Sequence, residues 1–364
     1  MIKFQFRKYI FTFGLATCCF CCSSALAQTT VVEAEEGYPA TSAEANFQDV
    51  GPGPSFNKDD LSNYDQDADV PIYDMRGDDG VLMDFRPSGL TFLSPHRVLV
   101  CEENDQQLHI FDTEGRRYRR LNNPRSISQP RYTGIANIES NKYLTVGSHY
   151  HINNNVRFVW ARSILHNYEL RGEIFTDSSA DKNLDPEFAW RNFGHYGENT
   201  KDPLKVEGIA CDKAHDVIYF ALSHPVNSDE SVRILKAPLS QVMEQRKKIS
   251  FENVATNLVP GLDESINELF VLTDINYIPG KGLLILISSR TPDERKAGTS
   301  QIWFLPEGAS SARMIADNVA PGNFATGIAA ISNGSNYNIG IVFDNNPAQN
   351  DTPSRFLFLE DIDL

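Results

Sequence analysis

The chain has 364 residues, with 48 Asp and Glu against 33 Lys and Arg, a formal charge of −15. So acidic a surface argues against nucleic acid or an anionic membrane as a general partner. Beyond the first segment no apolar run approaches the ~18 residues a membrane helix needs, so the sequence predicts an exported chain without a transmembrane anchor once mature.

Residues 1–27 read as a signal peptide. Lys3, Arg7 and Lys8 form a basic start, Tyr9 to Cys22 an apolar core, and Ala25-Leu26-Ala27 a small-residue cleavage site before Gln28. The alternatives are a retained anchor or a lipoprotein, although Thr17 stands before Cys18 where Gly, Ala or Ser is usual. Loss of the three basic residues takes the charge to −18. Four of the six cysteines leave with this segment; Cys101 and Cys211 remain, expected as buried free thiols with a bridge as the alternative.

Residues 28–68 are rich in acids, Ser, Pro and Gly and poor in aliphatics. They cannot bury enough apolar surface to offset their ordering entropy, so a disordered leader is expected. Asp65, Asp67 and Asp69 alternate as in a calcium loop, but the Gly of such a loop is missing and Arg76 stands where its bidentate Glu belongs. Calcium is the one cofactor the acidic charge suggests, and no metal site is assigned.

From Asp84 onward a unit recurs, best seen in KVEGIACDKAHDVIYFALSHP from Lys205 to Pro225: a short strand, a polar turn, a second apolar strand and a polar exit. Its anchors are Gly89, Gly134, Gly208, Asp274 and Gly327, spaced 45, 74, 66 and 53 residues apart. Third strands are expected at Leu108–Phe111, Val156–Trp160, Val232–Leu235, Gln301–Leu305 and Arg355–Leu359. Weaker fourth strands follow in the first four units. This pattern predicts an all-β fold over 69–364, a β-propeller of five blades, with six as the alternative if the 74-residue gap hides a degenerate blade. Val70–Met75 would supply the missing fourth strand of the last unit and close the ring. Pro238–Ile249 reads as a short helix capped by Ser240. The segment from Asp177 to Lys205, with Phe188, Trp190, Phe193, His195 and Tyr196, reads as a folded aromatic flap.

The ordered pieces SGLTFLSPHRVLVCEENDQQLHIFD, TGIANIESNKYLTVGSH, VEGIACDKAHDVIYFALSHP, VLTDINYIPGKGLLILIS and ATGIAAIS resemble a bacterial exported β-propeller family known only as a domain of unknown function, akin to the phytase-like esterase propellers. His224 departs from the Arg-containing turn expected there, and Phe343-Asp344-Asn345 replaces a more acidic pair. The resemblance implies fold and export. It carries no reaction, because a fold alone supplies none.

No G-x-S-x-G, P-loop, H-E-x-x-H or G-x-G-x-x-G occurs, so any site must be assembled from separate blades. In a propeller blade the entrance of the innermost strand and the exit of the second lie on one face. Superposition puts Ser88, Thr133, Glu207, Thr273 and Thr326 at entrances, and Glu103, His149, His224, Arg290 and Asp344 at exits. These should ring a mouth, with the flap's His195 and Tyr196 beside it. Glu207, His149 and His224 are the catalytic candidates; Arg290, Asp344, Glu103, His195 and Tyr196 are the ligand-binding candidates. The plain alternatives are a structural ion pair for Glu207, turn chemistry for His224, and pairing of Arg290 with Asp293 or Glu294. The expected partner is a small, anionic or ester-like molecule, and the chain is expected to be a monomer. A hydrolase acting on a phosphoester, ester or lactone, a non-catalytic binding propeller, and a polysaccharide lyase or glycan binder are the three functions weighed.

Overall fold

The recurring unit folds as a four-stranded antiparallel sheet. The structure is a computed structural model that describes residues 71–103, 107–121, 132–139, 142–147, 166–171, 174–177, 205–224, 226–244 and 251–364. The signal segment, the leader and the flap's His195 and Tyr196 lie outside them. All described residues fall in one unit, Pro52–Leu364.

In chain order, β1 (Ile72–Asp74) comes first. One sheet holds β2 (Pro87–Ser94), β3 (Arg97–Glu102), β4 (Leu108–Asp112) and β5 (Arg117–Leu121). The second holds β6 (Tyr132–Glu139), β7 (Lys142–Gly147), β8 (His166–Arg171) and β9 (Ile174–Asp177). The third holds β10 (Lys205–Asp212), β11 (Val217–His224), β12 (Arg233–Pro238) and β13 (Glu252–Val254). A two-stranded ribbon, β14 (Leu262–Asp263) and β15 (Glu268–Leu269), precedes the fourth sheet, β16 (Val271–Ile278), β17 (Gly282–Arg290), β18 (Ala297–Pro306) and β19 (Arg313–Val319). The fifth is β20 (Ala325–Asn333), β21 (Asn336–Phe343) and β22 (Arg355–Ile362), completed by β1, which runs antiparallel to β22 with Ile72 opposite Leu357 and Asp74 opposite Arg355.

Each sheet presents apolar side chains on both faces, because each is covered by a neighbour on either side. β17, GLLILISSR, is buried along nearly its whole length. Five apolar clusters form, each between two adjacent sheets. Leu99, Leu108 and Tyr143 join the first sheet to the second, and Val146, Ile209 and Phe220 the second to the third. Ile234, Ile275 and Ile285 join the third to the fourth, Leu286, Ile341 and Leu357 the fourth to the fifth, and Leu90, Val100 and Phe356 the fifth back to the first. The result is an all-β, propeller-like arrangement of sheets about an axis.

The innermost strands meet at the anchor residues. A Cβ on Gly89 would fall 2.9 Å from Gly134 Cα, one on Gly134 2.8 Å from Gly208 Cα, and one on Gly327 2.7 Å from Gly89 Cα. Real Cβ atoms do not approach so closely, so glycine is dictated by close approach. Asp274 is the fifth member of this ring. Its Oδ2 accepts the Ile328 N–H at 2.9 Å, while its Oδ1 meets no hydrogen-bond donor in good geometry among the described residues. Complete burial holds this carboxyl well above the ordinary range, and the charge of Glu207 adds to the shift.

Two local expectations change. The third strand of the second unit is β8, with Lys142–Thr145 opposite Glu169–His166; Val156–Trp160 lies outside the described residues. The helix is a single turn, Leu239–Met243, among the described residues. Pro238 occupies its N-cap, and Ser240 sits inside, donating its hydroxyl to Asp216 Oδ2 at 2.6 Å. Cys101 and Cys211 are both free thiols, and burial pushes Cys101 up to about 12. No helix among the described residues is long and apolar enough to cross a membrane.

Candidate functional site

The site is built at the end of the ring where inner strands begin and second strands finish. Arg86 immediately precedes Pro87, which forces extended backbone just ahead of β2. Its carbonyl accepts the Glu103 N–H at 2.9 Å, so the two residues close the same hairpin end. The Arg86 guanidinium is buried and shared by three carboxylates. Nε and Nη2 donate to Asp344 Oδ2 at 2.9 and 2.7 Å, and Nη2 also reaches Glu294 Oε2 at 3.0 Å and Glu103 Oε2 at 3.2 Å. Burial works against the charge on Arg86, but the bond to Asp344 and the fields of Glu103, Asp344 and Glu294 outweigh it and hold the group more firmly protonated than usual. Burial pushes the Asp344 carboxyl upward, and Arg86 pulls it back.

Arg290, at the end of β17, forms the second layer. Its Nη2 lies 3.1 Å from Glu294 Oε1, its Nη1 3.9 Å from Asp344 Oδ2, and its guanidinium carbon 4.1 Å from the centre of the Phe324 ring. Asn346, in the left-handed region at φ 50°, donates its N–H to Asp344 Oδ1 at 2.9 Å and its side-chain amide to Glu294 Oε2 at 3.2 Å. A cleft of about 160 Å³ opens over this assembly, walled by Arg290, Glu294, Phe324, Asp344, Asn345 and Asn350. Guanidinium, carboxylate and amide groups converge there on one aromatic face, a lining that suits a small polar molecule.

Glu103, Arg290 and Asp344, drawn from three sheets, are therefore brought together. Glu207 and His224 sit at the end of the third sheet, where Lys205 is the register partner of His224. The Glu207 carboxylate pairs with Lys205 Nζ and accepts the Ser223 hydroxyl at 3.1 Å. His149, His195 and Tyr196 lie outside the described residues. The entrance hydroxyls stitch neighbouring strands together: Thr133 Oγ1 donates to the Val206 carbonyl at 2.9 Å, and Thr326 Oγ1 to the Pro87 carbonyl at 2.8 Å.

Arg86 and Phe324 were not among the residues singled out in the sequence, and Glu294 was named there only as a pairing partner of Arg290, a pair the structure contains. A signal for Arg86 and Phe324 exists. Two positions before each entrance stand Arg86, Arg131, Lys205, Val271 and Phe324, so a cation recurs at this register in three units. Glu294 lies in the turn between β17 and β18, outside the repeat.

No family model matches the chain, and no curated protein does. Solved structures do match. A proposed glycosidase from Bacteroides thetaiotaomicron shares 11% identity at a TM-score of 0.46, over 75% of this chain and 86% of its own. The major Malassezia sympodialis allergen Mala s 1 shares 11% identity at 0.43, over 77% and 94%. The PQQ-bound aldose sugar dehydrogenase of Streptomyces coelicolor shares 13% at 0.42, over 80% and 98%. A likeness of that extent carries no family, substrate or activity over to this chain.

Proposed function

We propose that this chain is a five-bladed propeller, closed by β1, whose mouth cleft binds a small anionic or ester-like molecule. The observation that carries the reading is the Arg290 guanidinium at the cleft wall. It is stacked on Phe324 and braced by Glu294, itself fixed by the buried Arg86. A guanidinium held by packing, by a close contact to Glu294 and by a longer one to Asp344 keeps donors for an oxyanion or carbonyl oxygen, and it loses little freedom on binding. Thermal unfolding with inorganic phosphate and acetate as probes tests it. Wild-type protein should be stabilised by either probe and Arg290→Ala by neither; an equal response in both removes the cleft from consideration.

The hydrolase reading of the same rim rests on Glu207, which Lys205 and Ser223 hold in place, with His224 beside it and His149 as the third acid–base candidate. A panel of p-nitrophenyl esters and phosphoesters tests it, and turnover unchanged in Glu207→Gln would sink it. Export with cleavage before Gln28, and a monomeric chain that takes a small molecule rather than nucleic acid, complete the proposal; the basic-apolar-small pattern of residues 1–27 and the −15 charge support them.

A further inference from the structure

A second cluster lies at the other end of the ring, where β10 turns into β11. Asp212 ends β10, His215 sits in the turn, and Glu307 follows β18 of the adjacent sheet. His215 Nδ1 lies 2.6 Å from Asp212 Oδ2 and 3.9 Å from Glu307 Oε1, and one ligand atom from each residue lies within 4.8 Å of the others. The backbones that carry them are anchored. Asp212 is buried and takes the His215 N–H on Oδ1 at 3.3 Å. The turn closes through Asp216, at φ 57°, whose Oδ1 accepts the Ser240 N–H at 2.7 Å. The Glu307 N–H donates to the Lys281 carbonyl at 2.7 Å.

An Asp–His pair in a turn is by itself ordinary. A second carboxylate, from another sheet, and a buried phenol set this one apart. Tyr277 is only 8% exposed, and its hydroxyl lies close enough to Asp212 to interact with that carboxylate. Tyr219 stacks on Tyr277 with ring centres 5.8 Å apart. Two phenols thus flank a carboxylate pair whose ligand atoms converge on one point.

We infer that Asp212, His215 and Glu307 form a site for a divalent transition ion of the Zn²⁺ class, joining the third sheet to the fourth. One imidazole nitrogen with two carboxylate oxygens fits such an ion, whereas Ca²⁺ and Mg²⁺ prefer oxygen alone. Ligand bonds of about 2.0–2.2 Å require Nδ1 and Oδ2 to part by roughly half an ångström to one. The exposed His215 ring can move that far. Tyr277 then orients the Asp212 ligand from behind.

The test uses untagged full-length mature protein, stripped with chelator and titrated calorimetrically with Zn²⁺. Co²⁺ replaces Zn²⁺ as an optical probe. Binding of one ion per chain is expected, with a visible d–d band for Co²⁺ and a raised melting temperature with Zn²⁺. His215→Ala and Glu307→Gln, both at exposed positions, should each weaken Zn²⁺ binding about tenfold or more. Arg290→Ala at the opposite end should leave it unchanged. Absence of Zn²⁺ binding, or binding that survives in both His215→Ala and Glu307→Gln, overturns the proposal.

Discussion

Arg86 donates from both Nε and Nη2 to one oxygen of Asp344, at 2.9 and 2.7 Å, across 258 positions of sequence. That contact ties the entrance of the first sheet to the exit of the last. It also makes a buried cation the common partner of Asp344, Glu294 and Glu103.

Removing the cation should therefore be severe. Arg86→Ala leaves three carboxylates facing one another with little water to solvate them, and breaking a buried pair from one side costs about 3–5 kcal/mol. Urea unfolding should show that loss, with Arg86→Lys recovering part of it, because an ammonium cannot reproduce the guanidinium fork. A loss no greater than that of a surface salt bridge would show that Arg86 does not organise the mouth.

Asp274 sets a pH dependence. Its carboxyl is held well above the ordinary value, so the folded chain keeps a proton there that the unfolded chain releases near pH 4. The stability this group contributes is complete below that unfolded value and is lost as the pH rises through the folded one. Asp274→Asn removes the loss, so the variant should gain on wild type as the pH climbs from about 4 toward neutrality. Urea unfolding at stepped pH checks it; a difference that does not vary with pH contradicts it.

The glycine ring gives a packing test. A methyl group on Gly134 would press on Gly208 Cα, and the backbones of two sheets would have to part. Gly134→Ala should lower stability by roughly 1–3 kcal/mol or prevent folding. Gly261, around which a Cβ would meet nothing within 4 Å, is the control and should tolerate Ala.

Much of this was legible in the sequence, and the limits have physical causes. The anchors Gly89, Gly134, Gly208 and Gly327 stand out as a repeat, but their meaning, four backbones meeting at an axis, is a property of the assembled ring. Glu103, Arg290 and Asp344 were found because strand ends are countable in a repeat. Arg86 was missed because it lies two residues ahead of the superposed position; Glu294 was legible as a near neighbour of Arg290, but its bond to Arg86 was not, because it crosses sheets and turns do not repeat. The third strand of the second unit was sought at Val156–Trp160, the more apolar stretch, whereas HNYELR of β8 is the segment that pairs with β7. Strand pairing depends on register with a neighbour, which local hydrophobicity does not report.

Glu207→Gln separates chemistry from folding. Its partner Lys205 is partly exposed, so the pair should contribute about 1 kcal/mol or less. A fall in ester turnover in a variant that melts close to wild type would then report on the reaction. A large stability loss instead would return Glu207 to a structural role.

The central claim is that the mouth cleft beside Arg290 is a ligand site, and native mass spectrometry of the protein purified from its own host tests it most directly. The account predicts extra mass of one small molecule on the wild-type chain, released on denaturation and absent from Arg290→Ala. The same adduct on both proteins would contradict it.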